Sequence, residues 1–318
     1  MRLQFASQFF DASAHMSFGK LLKPVAPTLL LLGNTVNPWT IGGRDFLRTA
    51  AANFDRVFVV PGPAEYASNR NECYRMNLRR LYDEVAKYSN AHTLCQKTVT
   101  VGDIDMLGAT LWTDKADTKW VRERMLHPGV CDKLVLESIR RSVAVNMRTS
   151  DREFFSGSLL ESRLDPTKSN RMVFSSYFLP NYGCITHADI ARGRLHGIEQ
   201  ITNDYRYMMR APLQLWLCGA GVGGANYWDS ETGILFAKNA RGNGKEAAPG
   251  YSVEMFMDVG TVAICNRRSG IDALQIIADD AERTDLPPVP TPDVDFFPEW
   301  ADDKADDKAD DPDTPKHS

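Results

Sequence analysis

Short apolar runs alternating with segments of helical period predict an α/β fold for this 318-residue chain. Two further observations refine that class. The early runs, Thr28–Leu32 and Arg56–Val60, are nearly continuous apolar stretches, the pattern of strands covered on both faces. The later runs follow one another through turns, so part of the sheet is expected to be antiparallel.

Leu3–Phe5 is the first expected strand and Thr28–Leu32 the second. Arg44–Asn53 is a helix, and Arg56–Val60 a third strand that stops at Pro61-Gly62. Met76, Leu78, Leu81 and Val85 recur at helical spacing and predict a helix over Asn71–Tyr88. Val99–Val101 and Met106–Leu111 flank the turn Gly102-Asp103 as a hairpin. The stretch from Asp117 to Phe155 is expected to be mostly helical and is rich in arginine. Met172–Ser176 is a buried strand, Asp189–Met209 a helix, and Leu213–Leu217 a strand that runs into a glycine-rich loop. Gly233–Lys238 and Val253–Asp258 close the series.

The chain is 43% hydrophobic and 25% charged, which suits one globular domain with a large core. That domain is expected over residues 1–268. Residues 269–318 hold a proline-punctuated linker and the repeat ADDKADDKADDPD, too poor in apolar residues to offset its ordering entropy, so a disordered acidic tail is expected there. A net charge of -4 gives no basic excess for nucleic acid. The first residues carry no signal-peptide pattern, and the run Leu29–Leu32 is too short to span a bilayer. Cys73, Cys95, Cys131, Cys184, Cys218 and Cys265 include no CxxC pair, which fits reduced thiols in the cytoplasm.

Five segments carry the functional argument. They are Leu3-Gln4-Phe5-Ala6-Ser7-Gln8-Phe9-Phe10, Leu30-Leu31-Leu32-Gly33-Asn34, Val57-Phe58-Val59-Val60-Pro61-Gly62-Pro63-Ala64-Glu65, Val173-Phe174-Ser175-Ser176-Tyr177-Phe178-Leu179-Pro180 and Leu215-Trp216-Leu217-Cys218-Gly219-Ala220-Gly221-Val222. In this order, with Gly33, Gly62, Glu65, Pro180 and Gly219 in place, they resemble the five motifs of the calcineurin-like metallophosphoesterases over roughly Met1 to Asp258. The resemblance implies a four-layer α/β/β/α sandwich with two mixed β-sheets. It also implies loops at strand ends that present Asp, Asn and His to two divalent metals such as Mn, Fe or Zn, which activate a water for attack on a phosphoester.

The same resemblance implies that this set of ligands is degenerate. Gln8 stands at an Asp position and Phe10 at a His position. Asn34 replaces the Asp that bridges the metals, Pro63 replaces an Asn ligand, and Ala64 replaces the His that assists the leaving group. Tyr177, Ala220 and Val222 stand at three further His positions. Neutral or apolar groups cannot hold two adjacent dications, and neutralising the whole set avoids crowding like charges in a metal-free site. The expectation is no metal, no cofactor and no surviving family chemistry. A protein that acts by binding a protein partner or a phosphorylated ligand follows, with Asn34 and Arg241 as possible anion-binding groups. The alternatives are a metal-dependent phosphoesterase with relocated ligands, drawn from Asp11, His15 and His187, or a metal-independent binder of a phosphorylated ligand in the old cleft.

Other features have plainer readings. Gly219-Ala220-Gly221-Val222-Gly223-Gly224 matches GxGxxG after a strand but lacks a following helix, so a tight turn is expected. Isolated loop histidines are ordinarily surface groups. Asp103 and Asp105 suit a hairpin turn. Arg122, Arg124, Arg140, Arg141, Arg148 and Arg152 form either a solvated helix face or a surface for a phosphate-bearing partner.

Overall fold

Parallel strands dominate both halves of the computed structural model, which describes residues 1–67, 74–113, 141–165, 170–186, 189, 201–242, 246–260 and 263–266. In chain order its elements are β1 (Arg2–Ala6), α1 (Phe10–His15), α2 (Phe18–Leu21), β2 (Thr28–Leu32), α3 (Ile41–Asn53), β3 (Arg56–Val60), α4 (Pro63–Tyr66), α5 (Tyr74–Val85), β4 (Ala91–Thr93), β5 (Lys97–Val101) and β6 (Ile104–Ala109). There follow α6 (Arg141–Leu164), β7 (Arg171–Ser176), β8 (Leu213–Cys218), β9 (Gly223–Asp229), β10 (Ile234–Ala240), β11 (Met255–Asp258) and β12 (Ala263–Asn266). The first sheet has the order β12-β11-β1-β2-β3-β4 and the second β5-β6-β7-β8-β10-β9. β1 to β4 run parallel, with β11 and β12 antiparallel at one edge. In the second sheet β6, β7, β8 and β10 run parallel, with antiparallel β5 and β9 outside them. Both sheets are therefore mixed.

Side-chain alternation sorts the core into layers. Leu30 and Leu32 of β2 and Phe58 and Val60 of β3 share a cluster with Val173, Leu215, Leu217 and Leu235 of the second sheet, so these faces pack on each other. The alternate residues Leu29, Leu31, Val57 and Val59 pack against Phe46, Leu47 and Ala50 of α3 and Leu81 and Val85 of α5. On the far side, Phe174, Trp216 and Phe236 pack with Phe155 and Leu159 of α6. The order is helix, sheet, sheet, helix: the four-layer α/β/β/α sandwich expected from the motifs. Phe155 lies 4.6 Å from Phe174 and 5.5 Å from Trp216, centroid to centroid. Among the described residues no helix is long and apolar enough to cross a membrane.

Two local expectations need correction. The segment Asp189–Met209 is not one helix, since residues 201–205 are non-helical and Arg206–Met208 is a single 3-10 turn. Its asparagine shows why: Asn203 Nδ2 donates to the Leu111 and Leu179 carbonyls at 3.1 and 3.3 Å, tying the chain to neighbouring loops instead of to a helical turn. The glycine-rich stretch turns at Gly221 but then enters β9, which pairs along its length with β10. Two glycines and an asparagine hid that edge strand, whose pairing comes from tertiary context. β4 and β12 are too short to show a period. The expected tail 269–318, His187, and Arg122, Arg124 and Arg140 lie outside the described residues.

A buried carboxyl fixes α6 to the sheet. Asp151 accepts from Gln96 Nε2 at 2.8 Å and from the Leu111 backbone N–H at 2.7 Å. Gln96 and Leu111 both have left-handed backbones, φ 52° and 60°, so one side chain restrains two strained turns. Burial raises the Asp151 pKa from 3.8 to about 6, against the opposing hydrogen bonds from Gln96, Leu111 and Trp112. The folded state then holds this proton more tightly than the unfolded one. Its stabilising contribution is complete below pH 3.8 and is lost as pH rises to about 6. A shift of that size corresponds to about 3 kcal/mol. Denaturant melts from pH 4 to pH 7 should show this decline in the wild type, and Asp151→Asn should lack that component.

Candidate functional site

The parallel strands of both sheets carry their site loops at their carboxyl ends, where ligands ordinarily bind in open α/β sheets. The two sheets are joined there. Ser7 forms a parallel bridge to Ala240, its Oγ donates to the Gly219 carbonyl at 2.7 Å, and its carbonyl accepts from the Arg241 N–H at 3.0 Å. The loops after β1, β2, β3, β7 and β8 thus meet in one place.

At that place Gln8, Asn34 and Tyr177 form a closed knot. Gln8 Nε2 donates to the Tyr177 hydroxyl at 2.7 Å. Asn34 Nδ2 donates to the same hydroxyl at 2.8 Å and to Gln8 Oε1 at 3.3 Å. Asn34 Oδ1 in turn accepts from the Ala64 N–H at 2.9 Å. All three side chains are buried. Burial pushes the Tyr177 phenol above its ordinary range, the Gln8 hydrogen bond pulls it down, and the negative charge of Glu65 pushes it up again, so the hydroxyl stays protonated at neutral pH. Gln8 and Asn34 have φ of 63° and 52°, a conformation asparagine tolerates and glutamine rarely adopts.

Glu65 holds the loops that carry this knot. Its Oε1 accepts from the N–H groups of Thr35 and Val36 at 2.6 and 3.0 Å, and its Oε2 from those of Asn34 and Gly62 at 2.8 and 2.9 Å. Burial raises the Glu65 pKa, and these backbone donors oppose the rise. Gly62 and Gly33 leave room for the Tyr177 ring. A Cβ on Gly33, which has φ 78°, would lie 2.5 Å from Tyr177 Cδ2, and one on Gly62 would lie 2.8 Å from it.

The other aligned positions surround the knot without adding side-chain donors. Phe10, Ala64 and Ala220 join Tyr177 in one apolar cluster. Pro63 opens α4, where its missing N–H is not needed. The N–H groups of Gly219 and Ala220 both donate to the Tyr177 carbonyl. Val222 contributes its backbone N–H to Asp189 Oδ1 at 2.7 Å. Arg241 is 2% exposed and donates to the Gly242 carbonyl at 3.1 Å. The amide of Asn34 is engaged by Gln8, Tyr177 and Ala64.

Two metal ions would require anionic oxygens and imidazoles, and this set offers two amides and a neutral phenol. The residues present do not fit a binuclear centre. Among the described residues no three His, Cys, Asp or Glu side chains are grouped to hold a metal ion, Asp11 and His15 included. His15 is exposed at the end of α1.

Sequence reasoning missed the ion pair between Lys238 and Asp189, buried to 1% and 2% side-chain exposure. Asp189 also accepts from the Thr186 N–H and hydroxyl, both at 2.8 Å, so one carboxylate secures the loop that carries Ala220 and Val222. The available signal was a lysine inside an otherwise apolar strand, which demands a counter-charge.

No protein-family model matches the chain. An uncharacterized protein of Acanthamoeba polyphaga mimivirus is 22% identical over 257 residues, which cover 75% of this chain and 86% of that one. One solved crystal structure aligns with a TM-score of 0.48 and 13% identity, over 83% of this chain and 97% of the other. The crystal structure of a dimetal phosphatase from Danio rerio aligns with a TM-score of 0.37 and 12% identity, over 76% of this chain and 87% of that chain.

Glu65→Gln tests the clamp. An amide offers one acceptor and two donors where four N–H groups converge, so at least one pair of donors is stranded. The variant is expected to lose about 3 kcal/mol or more of unfolding free energy in a denaturant titration. Wild-type stability would show that the clamp is dispensable.

Proposed function

We propose that this chain is a catalytically inactive, metallophosphoesterase-like protein that acts by binding a partner rather than by hydrolysis. The observation that supports the reading most is the knot itself. Gln8, Asn34 and Tyr177 come from three separate motifs, each at a position the resemblance aligns with a metal ligand, and they meet within 2.7 to 3.3 Å of one another. Their convergence supports the alignment, and their chemistry opposes metal binding. Phosphoester hydrolysis of the implied kind draws its nucleophile and its charge stabilisation from the metals, so a site without ligands loses both together. Each lost carboxylate is replaced by an amide of similar shape, and a phenol supplies the shared acceptor. The loops keep their geometry while the reaction is removed.

Purified protein incubated with manganese and then dialysed should retain none by elemental analysis, and it should hydrolyse neither phosphomonoesters nor phosphodiesters. Two equivalents of manganese retained per chain would overturn the reading.

A further inference from the structure

β9 ends the second sheet with an open edge. Among the described residues it pairs on one side alone, with β10, in continuous register from Gly223 opposite Ala240 to Asp229 opposite Ile234. The first part of its other side is covered by the chain itself. A Cβ on Gly250 would lie 3.0 Å from the Gly224 nitrogen and 3.1 Å from the Gly224 carbonyl oxygen, so those groups turn away from β10 towards residue 250. At the far end the Asp229 carbonyl turns inward and accepts from the Gly233 N–H at 2.8 Å. Alternate residues of an antiparallel strand turn both backbone groups to the same side. Asn226 and Trp228 therefore aim their N–H and C=O groups outward, beyond the cover at Gly250.

The usual protections of a strand edge are absent here. β4 and β12, the edges of the first sheet, have three and four residues. β5, at the opposite edge of the second sheet, opens with an exposed lysine, Lys97. β9 runs for seven residues with no proline, no lysine and no charge before Asp229, and its unbroken register leaves no bulge. It shows water two adjacent aromatic side chains instead, Tyr227 at 38% and Trp228 at 44% exposure, on opposite faces of the sheet. Large aromatic residues are enriched where chains meet.

The strand is also complementary to itself. Two copies placed antiparallel about a two-fold axis through Tyr227 set Asn226 opposite Trp228 and Ala225 opposite Asp229. The outward backbone groups of Asn226 and Trp228 then face those of Trp228 and Asn226 in the other copy, as the hydrogen-bonded pairs of a regular ladder require. Like charges do not oppose each other, because the carboxylate of Asp229 lies across from an alanine. The Asn226 side-chain oxygen has no hydrogen-bond partner among the described residues, and the pairing puts the Trp228 indole of the other copy on its face of the sheet.

We propose that β9 is the interface of a symmetric dimer, in which a second copy of this chain adds its own β9 antiparallel to the first and joins two six-stranded sheets into one. The contact is closed, since each copy spends its open edge on the other. It is independent of the knot, so manganese retention would overturn the preceding reading and leave this one standing.

The test is sedimentation velocity of the full chain from about one to about two hundred micromolar. The wild type should shift from one chain to two as concentration rises. Asn226→Pro removes an outward N–H while sparing the β10 ladder, and Trp228→Lys puts a charge on the edge. Each should raise the dissociation constant of the dimer about tenfold or more. Thr98→Lys, on the exposed edge strand β5, should leave it unchanged. Trp228 is half in water, so an unchanged melting temperature of Trp228→Lys at the lowest concentration separates lost pairing from lost folding, even where Asn226→Pro unfolds. A wild type that stays a single chain over the whole range, a dimer that a folded β9 variant leaves intact or that Thr98→Lys weakens equally, or assembly beyond two chains would overturn the proposal.

Discussion

The carboxyl group of Glu65 is the constraint on which the site depends. It gathers four backbone N–H groups from the turns after β2 and β3, and it does so with no exposure to water. Those donors would otherwise be stranded in the interior, each at a cost of about 1 to 3 kcal/mol. By fixing both turns it aims the Asn34 amide across the cleft and places Ala64 to bind the other end of that amide. Tyr177 completes the arrangement only because Gly33 and Gly62 have no side chains to meet its ring. The framework residues of the motifs are therefore explained by loop geometry alone, whether or not any chemistry takes place between the loops.

That separation fits the proposed reading, in which the loops are kept while neutral groups stand at the positions the resemblance aligns with metal ligands. Two carboxylates facing each other without a cation would be forced to take up protons or to open the pocket. Amides at positions 8 and 34 satisfy each other and the phenol, so the buried polar atoms of the knot have partners and carry no charge. Apolar Phe10, Ala64 and Ala220 fill space around it. A buried ion pair close to these loops, Lys238 with Asp189, is internally neutral and takes its remaining hydrogen bonds from Thr186 and Val222.

Much of the architecture was legible in the chain because its strands are strongly patterned. Thr28–Leu32 and Arg56–Val60 match the observed strands end to end, since continuous apolar runs bounded by proline and glycine admit few alternatives. The segment 201–208 was misread because its helical spacing says nothing about the loop carbonyls that Asn203 binds. β9 was hidden by glycines whose partner strand lies several residues further on. Within the site, the aligned positions were legible as a set, but not the bonds among them. Nothing in the order of residues 8, 34 and 177 shows that an amide, an amide and a phenol share hydrogen bonds.

The central claim is that the site is built for neutral groups, and Asn34→Asp tests it most directly. The account predicts that this variant loses about 3 kcal/mol of unfolding free energy at neutral pH, because the new carboxyl faces the Gln8 carbonyl oxygen and lies beside Glu65. It should regain stability as pH falls, since protonation removes the buried charge, and added manganese should not change its melting temperature. Full stability at neutral pH, or a melting temperature that rises with manganese, would contradict the account.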